Sequence, residues 1–172
     1  MGIKILTKPA LEKNDIINNG IHGRLIDTRY FMPDNYLDRS NYVRGLLLLI
    51  GKDRKITDAE RNFLCTVAKT LDFNESFIEN ALNELLENAY LDHEPPVFSQ
   101  KKYAESFLQD AIQLALIDHD LSTEELNWVH SAAAANKVSE EWLQTTLAHY
   151  LNDTQPASQP VFQAEKIIDG NR

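Results

Sequence analysis

Apolar residues recur at steps of three and four along most of the chain, and no stretch alternates apolar with polar long enough to line a strand. Phe63, Leu64, Val67, Ala68 and Leu71 share one helical face. Phe77, Ile78, Ala81, Leu82, Leu85 and Leu86 share a second, and Trp142, Leu143, Leu147 and Leu151 a third. Start signals precede these faces. Thr57 with Glu60, and Ser122 with Glu125, have the spacing of a capping box, while Asn74 and Ser139 stand at cap positions before two further helices. Ser40 is expected to cap a helix running to about Gly51, and Ser99 one running to about Ile117. The pattern predicts an all-α chain with six main helices.

Those six helices fall into two sets. Sliding the chain against itself gives a gapless match at an offset of 65 residues, taking Glu60 onto Glu125. At that offset Leu49 meets Leu114, Asp53 meets Asp118, Ala68 meets Ala133 and Leu82 meets Leu147. Phe63 falls on Trp128 and Phe77 on Trp142, so core size is kept where identity is not. The reading is a tandem repeat of a three-helix unit, packed as one bundle. The first unit spans 40–91 and the second 99–151, with a Pro-containing linker, 92–98, between them. Residues 1–39 form an N-terminal arm, and residues 152–172 read as a loose tail.

Composition narrows the setting. A net charge of −9 opposes binding to nucleic acid, which calls for basic patches. The acidity is uneven: Ala104 to Leu151 holds eight acidic residues against the single basic Lys137, whereas Arg44 to Asn88 holds eight against six. The longest apolar run, Leu46 to Ile50, is far short of the roughly 20 residues that span a membrane. With one cysteine, Cys65, there is no internal disulfide, and Cys65 on an apolar face reads as an inert thiol. A cytoplasmic protein is expected.

The most distinctive segment of each unit joins its first two helices. One reads Lys52-Asp53-Arg54-Lys55-Ile56-Thr57-Asp58-Ala59-Glu60, the other Ile117-Asp118-His119-Asp120-Leu121-Ser122-Thr123-Glu124-Glu125. Asp53, Ile56, Thr57 and Glu60, and likewise Asp118, Leu121, Ser122 and Glu125, follow a pattern that resembles the TerB-like helical family, also found as the N-terminal part of some membrane-anchored J-domain proteins. The likeness covers roughly residues 40–151, with Arg54 and His119 standing where that family carries glycine. It implies a helical bundle associated with tellurite resistance, stress and phage defence, responsive to metal, with no established catalytic reaction.

From the residues alone, Asp118, Asp120, Ser122 and Glu125 offer hard oxygen donors of the kind calcium or magnesium takes, and His119 would bring in zinc or manganese. The same Ser122 and Glu125 also suffice as a helix cap without any ion. In the first unit the equivalents Asp53, Thr57 and Glu60 sit among Lys52, Arg54 and Lys55, which oppose a cation and could instead face the acidic loop of the second unit. Tyr30, Phe31 and Tyr36 are candidates for a partner surface or for packing on the body. The leading expectation is a non-catalytic module that binds protein partners. The alternative is a metal-dependent hydrolase or transferase using the loop from Asp118 to Glu125.

Overall fold

The computed structural model describes residues 35–52, 56–87, 94–117, 121–152 and 162–169. Among them are seven helices and no strand: α1 (Tyr36–Ile50), α2 (Asp58–Thr70), α3 (Glu75–Glu87), α4 (Lys101–Ala115), α5 (Thr123–Ala135), α6 (Glu140–Asn152) and α7 (Glu165–Asp169). The bounds of α4, α5 and α6 are those of α1, α2 and α3 moved on by 65 residues, Tyr36 to Lys101 being the first such pair.

Each trio closes on itself, α2 and α3 packing on α1, and α5 and α6 on α4, while α1 and α4 pack against each other at the centre. Composition explains which helices take the middle. In α1 Val43 and every residue from Leu46 to Ile50 are buried, and in α4 Phe107, Leu108, Ala111, Ile112, Leu114 and Ala115 are. Helices with so wide a buried face must be covered on more than one side. The outer helices bury one stripe each, such as Phe63, Leu64, Val67 and Ala68 of α2. Side chains from both trios form a single core cluster.

Two local devices set the ends of α2 and α5. Thr57 Oγ1 accepts from Glu60 N while Glu60 Oε2 accepts from Thr57 N at 2.7 Å, and Ser122 and Glu125 repeat this reciprocal cap with the latter bond at 2.8 Å. Each cap contributes about 1 kcal/mol. At the far ends Phe73 N donates to Ala68 O and Asp72 N to Lys69 O, matched by Val138 N to Ala133 O and Lys137 N to Ala134 O. These are Schellman stops, and they place Asp72 at φ 66° and Lys137 at φ 56°, the left-handed region usually given to glycine.

Asn74 and Ser139 cap as expected, accepting from Ser76 N and Trp142 N. Ser40 does not cap. The helix begins at Tyr36, and Ser40 lies inside it, buried. Nor does Ser99, whose N–H and hydroxyl both donate to Asp38 on α1; Gln100 takes the cap position with no side-chain bond. At Ser99 a contact between helices displaced the local signal, whereas Ser40 Oγ is buried with no hydrogen-bond partner among the described residues.

Residues 94–98 are pinned on both sides. Arg44 Nη2 donates to Glu94 O and Asn41 Nδ2 to Val97 O. Asn136, at the end of α5, donates to Pro96 O and accepts from Phe98 N. The region expected to be a loose tail also holds ordered structure: α7 packs on α4, with Ala164 and Ile167 fully buried.

Candidate functional site

The residues proposed from the loops divide between described and undescribed segments. Asp53, Asp118, His119 and Asp120, with Tyr30 and Phe31, lie outside the described residues. Thr57, Glu60, Ser122 and Glu125 are described, and all four take part in the reciprocal caps. Glu60 and Glu125 are buried, with an oxygen of each held by the N–H of its cap residue. Tyr36 is half-buried in the first turn of α1. Among the described residues no three His, Cys, Asp or Glu side chains converge as a metal site would require.

Lys52 shows where the basic loop leaves α1. Its ammonium stands 5.7 Å from the centre of the Trp128 ring on α5, a cation–π contact from one trio to the other. Partial burial there holds its pKa below the usual lysine value. Cys65 is half-buried beside Glu79, and burial, followed by that neighbouring carboxylate, pushes its thiol pKa up. A thiol so placed carries little thiolate, in keeping with an inert reading. His130 meets Glu140 at 3.3 Å at the surface.

The most polar buried locus was not flagged by the loops or by any motif. Asp110, in the middle of α4, is fully buried. Its Oδ1 accepts from Gln163 N at 2.8 Å and from Gln113 Nε2 at 3.2 Å, and its Oδ2 accepts from Ala164 N at 3.0 Å and from Tyr42 Oη at 2.7 Å. Desolvation pushes its pKa up to about 6, against the pull of these donors and of Lys166. Tyr42 rises well above the usual phenol value, first through burial and then through Asp110. One sequence signal pointed here: an aspartate inside an apolar helical run, with Phe107 and Leu114 a turn away on either side.

A second polar chain extends from this locus. Asn35 donates to Ile167 O, its Oδ1 accepts from Arg39 Nε at 2.9 Å, and Arg39 Nη1 reaches Asp72 at 2.6 Å. Thus the start of α1, the end of α2 and α7 are tied together.

Four buried carboxylates, Asp38, Glu60, Asp110 and Glu125, share one use. Each accepts from a backbone N–H, and each thereby fixes where a segment of chain begins: α4, α2, the stretch leading into α7, and α5. A carboxylate engaged this way is kept in one rotamer.

No protein-family model, no curated protein and no solved structure matches this chain. Among the described residues no helix is long and apolar enough to cross a membrane.

Proposed function

We propose that the chain is a TerB-like, non-catalytic interaction module of a bacterial stress or defence system, built as a tandem repeat and responsive to a divalent cation through the loop from Asp118 to Glu125. The observation that carries the non-catalytic part is the use of the buried acids. Asp38, Glu60, Asp110 and Glu125 hold backbone rather than facing an open cleft as a general acid or base does. The repeat reading is supported by the 65-residue shift between the two sets of helix bounds, by the paired capping boxes, and by the left-handed residues Asp72 and Lys137 at that same spacing.

For the cation, the candidate donors are Asp118, Asp120, Ser122 and Glu125, with His119 beside them; Ser122 Oγ and Glu125 Oε2 each already accept one cap hydrogen bond. The test is thermal unfolding with calcium, magnesium, manganese or zinc, beside an Asp118→Asn/Asp120→Asn variant. Saturation at a hundredfold the dissociation constant adds about 2.7 kcal/mol. Stabilisation by one metal, absent in the variant, is expected. If no metal shifts the transition, the responsive part of the proposal fails. Metal-dependent turnover of phosphate or carboxylic esters that disappears in the variant would replace the module with a hydrolase.

A further inference from the structure

We propose that the seat of α7 is a peptide-docking site, that residues 162–169 are its resident ligand, and that a partner segment with the same pattern of aromatic, small and aliphatic residues displaces them. This deepens the interaction-module reading, on which its biological use rests, by naming the surface and the chemistry of what binds there.

The segment has the properties of a bound peptide rather than of a structural helix. At five residues α7 is well below the length that holds in water alone, so its helical form exists because it is docked. Its contacts come from three alternating points. The Phe162 ring meets the Phe63 ring edge-on at 5.0 Å, and Ala164 and Ile167 are fully buried, whereas Glu165 and Lys166 between them face solvent. Pocketed side chains at fixed spacing with a wet outer face are how grooves read short peptides.

The seat in turn recognises backbone. Asp110 takes two consecutive N–H groups, of Gln163 and Ala164, and Asn35 donates to the carbonyl of Ile167, so both ends of the segment are gripped through main-chain atoms that any sequence carries. Specificity then falls to the three side chains: an aromatic ring against Phe63, a residue no larger than alanine where the backbone lies against Asp110, and an aliphatic residue three positions on. Asp110 is held for this task from its own side by Tyr42 and Gln113. The same carboxylate thus serves the α1–α4 contact through Tyr42 and the docked segment through two backbone N–H groups. The residue 65 positions earlier is Gly45, against which Pro96 stands with no side chain between them.

The test uses the full chain. In an Ile167→Asp variant the resident segment loses its aliphatic anchor and the seat opens. A fluorescein-labelled peptide of residues 161–170 is titrated against this variant and against the unmodified chain, and binding is followed by anisotropy. Saturable binding to the variant, at least tenfold tighter than to the unmodified chain, and loss of binding when the peptide carries Ala164→Glu, are expected. A folded variant that does not bind the peptide, or equal binding to both chains, overturns the proposal.

Hydrogen exchange on the unmodified chain decides the case in which the variant does not fold. Amides of residues 163–169 exchanging at least a hundredfold faster than those of α4 support a detachable segment; equal protection makes it an integral part of the core and overturns the proposal. The peptide and exchange measurements contain no metal, so their failure and the failure of the metal titration are read separately.

Discussion

Replacing Gly45 with alanine tests the central contact of the fold. A Cβ at this position would stand 2.6 Å from Cε2 and Cζ of Phe107 and 2.8 Å from Cγ of Pro96, closer than side chains approach one another. The ring has little room to yield. It is fully buried, with Tyr42 at 5.3 Å, Phe98 at 5.1 Å and Trp128 at 6.1 Å between centroids. Forcing a methyl into such a core costs about 1–3 kcal/mol, while alanine in a helix interior returns about 0.8–1 kcal/mol relative to glycine. The net expectation is a loss of about 0–2 kcal/mol, or up to roughly 8 °C in Tm for a chain of this size. Urea unfolding followed by circular dichroism measures it, and a double-mutant cycle isolates the cause. With Phe107→Leu already in place the ring edge is gone and only Pro96 Cγ must yield, so Gly45→Ala is expected to cost less than in the unmodified chain. Should Gly45→Ala stabilise the unmodified chain by the full helix-propensity gain, or act identically in both backgrounds, the close approach of α1 to α4 is not what selects glycine here.

Two further predictions follow from the buried network and the helix stops. Because the folded-state pKa of Asp110 is raised to about 6 from 3.8, the native state holds an extra proton between those values; the contribution is present below about pH 4 and lost as pH rises through 6. Unfolding free energy is therefore expected to fall by about 2 kcal/mol more between pH 4 and pH 7 in the unmodified chain than in Asp110→Asn, and equal slopes would refute the assignment. Lys137→Gly relieves a side chain held at φ 56° on an exposed turn, and is expected to stabilise by about 0.5–1 kcal/mol in urea unfolding, with no change in helical signal.

How much of this was legible in the sequence depends on the range of the interaction. The helical class, the faces of α2, α3 and α6, and the caps at Thr57, Asn74, Ser122 and Ser139 were readable because each rests on residues within about four positions of one another. Ser40 and Ser99 both have the chemistry of a cap, yet Ser40 is buried inside α1 and Ser99 is bound to Asp38, sixty-one residues away. A cap signal records what a side chain can do locally; packing overrides it at Ser99 by bringing Asp38 within reach, and at Ser40 by burying the hydroxyl inside a helix that starts earlier.

The candidate site divides in the same way. Glu60 and Glu125 could be named from their spacing alone, because the reciprocal cap is a property of four consecutive residues. Asp110 could not be assigned a role, since its donors come from Tyr42 and from residues 163 and 164, which only the packing of α1 and α7 on α4 brings within reach. The stretch after Leu151 is too polar and broken to predict a helix, and α7 forms only because α4 and Asn35 supply the surface and bonds that five residues lack by themselves. The sequence by itself determined which segments are helices and where several of them start, because backbone satisfaction and periodic burial are local. The tertiary structure alone decided that α1 and α4 are central, that Gly45 is a point of contact, and that a buried carboxylate holds a distant strand of chain, because each of these depends on which surfaces meet.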